Sequence, residues 1–301
     1  MTGYRHPKYP ESLEEFGGPR ELQRSGAWIL ERRIPGATDK DAMGCYPLFL
    51  CEDWTRLHAD LEDIGSEIVS LSLVTDPFGD YDTNYLQQCF RDVVLPFKEH
   101  FVVDLDLPIK KTVSKHHRYY ARKAFEKIHV EKLRDAVVFI DEWAGLYDTL
   151  IARYNLAGIK AFSKTAFAKQ LSVPGIVIFK ASFEGTTVGA HLWYVIGDIA
   201  YSHLAAFSPL GYDLMSSYAL YWYAIEYFSE RVRWLDIGAG AGTESNGSDG
   251  LSWFKKGWSS GTRDTYFCGR IFDNVRYTEI TKAREISGTN YFPAYRQGEF
   301  G

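Results

Sequence analysis

Residues 233–258, RWLDIGAGAGTESNGSDGLSWFKKGW, decide how the rest of the chain is read. Residues 232–237 are apolar enough for a buried strand. The glycines and polar residues that follow make a loop, and 251–258 has helical spacing. At about 100° per residue, Leu251, Phe254 and Trp258 share one helix face, Lys255 sits at its edge and Lys256 points to solvent. A lysine at the rim of an apolar face can reach a cleft as a fixed cation, or it can snorkel along the surface.

Upstream of this stretch the pattern is a meander. Strands are expected over 176–183, 187–196 and 199–207, joined by tight turns at Glu184-Gly185 and Gly197-Asp198. A long helix over 213–230 then leads into the strand at 232–237, and a last strand is expected over 263–271. Before the meander, helices are expected over 114–128, where Ser114 is the N-cap, and over 141–154 and 163–171. The first third reads as a smaller unit, with strands over 27–32, 45–51, 68–75 and 100–105. Its helices are expected from Trp54 to Gly65 and over 85–94, the second ended by Pro96. Leu107-Pro108 marks a boundary. The expected organisation is an N-terminal arm over 1–25, one unit over 26–108 and another over 109–301. The fold class is α/β (α+β), with mixed, largely antiparallel sheets and flanking helices.

The sequence has 301 residues, 46% of them hydrophobic, which is enough for full cores and argues against disorder. A net charge of -5 gives no overall attraction to nucleic acid. Any such contact must come from a local patch, and one exists. Between Lys110 and Lys132 eight Lys/Arg stand against two Glu. Lys115, Arg118 and Arg122 share a narrow helix face, with Lys111 just upstream. Such a stripe suits a polyphosphate or a solvated helix surface equally. Cys45, Cys51, Cys89 and Cys268 are scattered with no C-x-x-C pair, so neither a metal site nor a disulfide framework is expected. With no signal-like or membrane-length apolar segment, the expected location is the cytoplasm, away from any membrane.

The run Asp236-Ile237-Gly238-Ala239-Gly240-Ala241-Gly242 looks like the loop of an S-adenosylmethionine methyltransferase. The order of elements opposes that reading: the nucleotide loop of a doubly wound sheet follows its first strand, with several βα units after it. Three other stretches share a different resemblance. They are SKHHRYYARKAFEKIHVE from Ser114, SFEGTTVGAHLWYVIGDIAYSHLAAFSPLGYDLMSSYALYWYAIEYF from Ser182, and WLDIGAGAG with DGLSWFKKGW. In this order they resemble the transferase domain of the FemAB-like branch of the GNAT acyltransferase superfamily, over roughly residues 110–270.

That resemblance implies two GNAT-like lobes, the first one degenerate. It also implies an acyltransferase that moves an aminoacyl group from aminoacyl-tRNA to a small-molecule amine, forming an amide. The alternative is an acyl-CoA donor on the same fold. Either donor is a co-substrate, and no tightly bound cofactor or metal is implied. The matching Phe-Lys pair of the family is implicated in catalysis, which carries over to Phe254 and Lys255; a cation there could stabilise a tetrahedral oxyanion. Gly211 and Tyr212 fall in the loop that holds phosphate in CoA-dependent relatives. Here that loop has one glycine, Pro209 without an N–H, and Asp213 as an expected helix cap, which leans toward tRNA. His203 and Glu244 are candidate proton acceptors. His203 alternates with Tyr201 and Ala205, so it equally fits a packed core.

Overall fold

The computed structural model describes residues 1–241, 249–286 and 288–299. The chain divides into two compact units. One comprises Tyr4–Phe97, Ala157–Lys160 and Asp264–Gly301; the other comprises Met1–Gly3, Lys98–Leu156 and Ala161–Arg263.

The first of these units opens with α1 (Lys8–Glu11), β1 (Gly18–Leu22), β2 (Ala27–Arg33) and β3 (Lys40–Gly44). It continues with α2 (Leu57–Ile64), β4 (Ser70–Val74) and α3 (Thr83–Cys89). The expected N-terminal arm is instead folded: Tyr9 and Leu13 are fully buried, and Gly18–Leu22 pairs with β2. Apolar residues spaced through a charged segment were enough to dock it. The strand expected over 45–51 lies earlier, at Lys40–Gly44. Its lysine and aspartate hid it, but Asp41 is buried against Arg296 and Arg32, so its charge is matched inside the unit. Phe49 makes only an isolated bridge to Thr75.

The second unit holds the meander. It contains most of β5 (Val93–Asp104), then α4 (Ile109–Thr112), α5 (Lys115–Phe125), β6 (His129–Lys132), α6 (Ile140–Tyr154) and α7 (Lys164–Gln170). Strands β7 (Ile176–Phe183), β8 (Thr186–Ile196) and β9 (Ile199–Phe207) follow as two hairpins. After them come α8 (Pro209–Asp213), α9 (Ser216–Phe228), β10 (Trp234–Asp236) and α10 (Gly250–Lys256). The strands run in the order β5-β10-β9-β8-β7-β6. Only the β9–β10 pair is parallel, so the sheet is mixed and mostly antiparallel. Thus β10 is an interior strand between β5 and β9, and among the described residues it is not the first strand of a doubly wound sheet.

Two expected boundaries moved. Val93 and Val94, read as helix, open β5, because a β-branched pair favours an extended backbone once α3 has stopped at Cys89. The long helix also starts later. Ser208, not Asp213, caps the short α8, and Met215 in the left-handed region (φ 57°) separates it from α9. The chain then re-enters the first unit through β11 (Gly261–Ile271), antiparallel to β4, and ends that unit with α11 (Asn274–Ala283).

Alternation along β8 and β9 splits the second unit's core into two layers. Trp193 packs on Phe228 of α9, whereas the adjacent Tyr194 donates its hydroxyl to the Gln170 carbonyl of α7. The α9 layer is where α5 and α10 also pack, through Tyr218, Tyr221, Phe254 and Trp258.

Candidate active site

The short α10 is fixed at both ends. Asp249 caps it, accepting from the N–H groups of Leu251 and Ser252, and the Ser252 hydroxyl, helped by these backbone donors, holds its carboxyl down to about 2. From the other side the His117 ring of α5 sits between Ser114 Oγ (2.8 Å) and the Phe254 carbonyl oxygen (2.9 Å). A Cβ at Gly257 would run into that ring, so glycine there is what allows α5 to approach. Burial pushes His117 down to about 4. It is a neutral structural pin, joined to α10 by both ring nitrogens.

With α10 placed, Phe254 lies edge-on to Tyr218 and Tyr221 at centroid distances of 5.0 and 5.1 Å. Lys255 is half-buried, and its Nζ donates to the Ala239 carbonyl at 2.7 Å. Gly238 makes this reach possible. Its φ is +75°, and a Cβ there would stand 3.0 Å from the Lys255 ammonium. Burial lowers Lys255 from 10.5 to about 8, with the Asp236 carboxylate opposing the shift and the Lys98 cation adding to it. At pH 7 such a group is still protonated roughly ten to one. Of its three N–H donors one is used by Ala239, and the other two have no acceptor among the described residues.

Asp236 closes β10 and is buried. Its two oxygens lie 3.0 and 2.9 Å from His100 Nδ1 on β5, and one accepts the Gly238 N–H at 2.8 Å. On β8, His191 contacts Ser202 Oγ through Nε2 at 2.8 Å, and Tyr221 bonds to the same serine. Among the described residues His191 Nδ1 is buried without a partner, and burial together with the Lys255 cation pushes the ring down to about 3. Strands β9 and β10 pair only over Ile199–Tyr201 and Trp234–Asp236; β9 then runs on to Phe207 while the other chain turns into the glycine loop. Their separation begins beside Asp236. A cation, a buried carboxylate, a histidine with one ring nitrogen tied down and an aromatic wall are thus collected where two parallel strands diverge.

The other expected site residues lie elsewhere. His203 is on the α7 layer, 3.2 Å from Gln170 Oε1 and packed on Tyr194, and burial pushes it down to about 3. Ser202, the preceding residue, bonds to His191 on the α9 layer, so alternation puts His203 on the other face. Gly211 is buried against the Val188 backbone, its N–H taken by Ser208 Oγ at 3.1 Å. Tyr212 lies under the Arg153 guanidinium, 4.3 Å from its ring centre. Lys111, Lys115 and Arg122 are exposed, and among the described residues they form no ion pair; Arg118 donates to the Lys110 carbonyl. The exposed Trp253 packs on another face of α5, its ring 5.1 Å from that of His116. Glu244 lies outside the described residues. Among the described residues no group of three or more His, Cys, Asp or Glu is arranged to hold a metal, and no helix is long and apolar enough to cross a membrane. The four cysteines are free and buried.

No known family profile matches the chain, and no curated protein matches it in sequence. Solved structures do resemble it. FemX superposes with a TM-score of 0.68 at 14% identity, covering 91% of this chain and 93% of that one. A domain from Agrobacterium fabrum (DUF2156), provisionally named as the C-terminal domain of a lysylphosphatidylglycerol synthetase, gives 0.60 at 16%, covering 96% and 93%. L-PGS from Bacillus licheniformis gives 0.56 at 18%, covering 94% and 98%. At these identities the likeness is one of fold. The chain shares the fold of FemX and of these two domains.

Proposed function

We propose that this protein is an N-acyltransferase that moves an aminoacyl group from aminoacyl-tRNA to a small-molecule amine, forming an amide. The observation that carries the reading is Lys255, a protonated amine fixed by the Ala239 carbonyl beside an aromatic wall, at the point where β9 and β10 part. When an amine attacks an ester carbonyl, negative charge grows on the carbonyl oxygen. A pre-oriented cation in a partly desolvated corner stabilises that charge without reorganising at the moment of reaction. Lys255 fills this role, and Phe254 shapes the acyl side with Tyr221. One structural neighbour carries a provisional name that refers to an aminoacylated lipid, in keeping with an aminoacyl cargo.

The donor assignment rests on two further features. The Gly211 N–H is already satisfied by Ser208, and Pro209 has none, so α8 offers little backbone to a CoA pyrophosphate. The cations Lys115 and Arg122 of α5, by contrast, are exposed and have no acidic partners among the described residues, which suits them to phosphates. Acyl-CoA on the same fold is therefore the second reading. We take the unit built on β1–β4 as the degenerate first lobe of this fold, and the cytoplasm as the protein's place of work.

A thermal-shift series with charged tRNA, uncharged tRNA, acyl-CoAs and S-adenosylmethionine tests the assignment. A donor at a hundred times its Kd stabilises by about 2.7 kcal/mol. Charged tRNA should raise Tm, and a shift confined to acyl-CoA would replace tRNA by CoA.

A further inference from the structure

We propose that His100 is the proton acceptor of the transfer reaction, oriented for it by Asp236. The inference rests on the acyltransfer reading above and supplies a step that reading leaves open: an amine that attacks a carbonyl becomes positively charged and must lose a proton.

The geometry is specific. Both Asp236 oxygens face His100 Nδ1, at 3.0 and 2.9 Å. An ionised carboxylate only accepts, so in the neutral ring the proton sits on Nδ1 and the lone pair on Nε2. The Asp236 side chain is buried (3% exposed) and is further fixed by the Gly238 N–H, whereas His100 keeps 12% of its side-chain surface open. Among the described residues Nε2 has no partner. The same Gly238 turn presents Ala239 to Lys255, so one loop sets both the imidazole and the ammonium. The charged groups at this corner are Asp236 on β10, Lys255 and its cap Asp249 on α10, and Lys98 two residues before His100 on β5. The other buried histidines of this layer are committed: both nitrogens of His117 are bonded, and His191 is fully buried against Ser202.

In the step itself the amine nitrogen bonds to the ester carbonyl carbon, and the π pair moves to the oxygen beside Lys255. His100 Nε2 takes one N–H proton. As the tetrahedral species collapses, the C–O bond to the carrier breaks with its electron pair. The departing oxygen takes the proton from His100, and the ring ends neutral. The products are an amide and a free carrier hydroxyl.

The test is the pH dependence of kcat/KM for the full chain, with charged tRNA as donor and an amine as acceptor. His100→Gln should lose about 10²- to 10⁴-fold, and with it the acid limb of the profile. Added imidazole should restore part of the rate to His100→Gly. Asp236→Asn should fall by 10²-fold or more, because an amide cannot hold the same tautomer. A His100→Gln rate within about threefold of wild type, with its acid limb intact, overturns this inference alone. Loss of rate with no imidazole rescue and a collapsed far-UV spectrum assigns the pair a structural role and also overturns it. Absence of transfer by the wild-type protein with every donor overturns the acyltransfer reading, and His100 falls with it.

Discussion

Replacing Lys255 by methionine keeps the apolar stem and removes the charge, and the two consequences are measurable separately. The first is kinetic. Losing a pre-oriented oxyanion donor lowers kcat by roughly 10²- to 10³-fold, or about 3–4 kcal/mol of barrier. The second is thermodynamic. Lys255 falls from 10.5 to about 8 on folding, so at neutral pH the folded state holds a charge it disfavours. At about 1.4 kcal/mol per unit this opposes folding by roughly 3 kcal/mol, halved to about 1–2 kcal/mol because the side chain is only half-buried. Below pH 8 both states are protonated and the penalty is fully present. Between about 8 and 10.5 the folded protein releases the proton while the unfolded chain keeps it, so wild-type stability rises with pH. Urea unfolding at pH 7, 8, 9 and 10 should therefore show wild type gaining about 1–2 kcal/mol relative to Lys255→Met, alongside the kcat deficit at pH 7. Parallel stability curves with an unchanged kcat would return Lys255 to the class of surface lysines and refute the reasoning.

Other perturbations probe the surrounding frame. Gly257→Ala puts a methyl into the His117 ring and should cost about 1–3 kcal/mol by overpacking, read as a lower urea midpoint with an unchanged slope. Gly238→Ala strains a φ of +75° and crowds Lys255 Nζ; it should cost about 1–2 kcal/mol and also depress kcat, whereas a loss of stability alone would detach the turn from Lys255. Lys115→Ala, Arg118→Ala and Arg122→Ala combined should weaken tRNA binding and flatten its log Kd against log salt slope by roughly 2–3; an unaltered slope would make the stripe a solvated face. His203→Gln should leave kcat within a few-fold, since its ring sits with Gln170 on the other layer.

The elements of the second unit were legible where local signals are strong. Glycine turns marked both hairpins, Ser114 caps the helix it is expected to cap, and the Phe-Lys helix forms, although Leu251 of its expected apolar face is exposed. Legibility failed where a contact distant in sequence decides the matter. Lys40–Gly44 pairs as a strand with β2 and β4, and Arg296, 255 positions away, matches the charge of its buried Asp41. Gly211 reads as a phosphate glycine until Val188 is seen against it. The site shows the same limit. His100 and Asp236 stand 136 positions apart, with nothing in either segment to join them. Strand alternation could have set His100 and Lys98 on one face, but their partner emerges only from the β5–β10 register.

The central claim is tested most directly by following a labelled amino acid from charged tRNA into an amide, with intact and RNase-treated donor, using wild type and Lys255→Met. The account predicts an amide product from intact tRNA with wild type only. Label transfer that survives RNase, or that proceeds equally well with Lys255→Met, would contradict it.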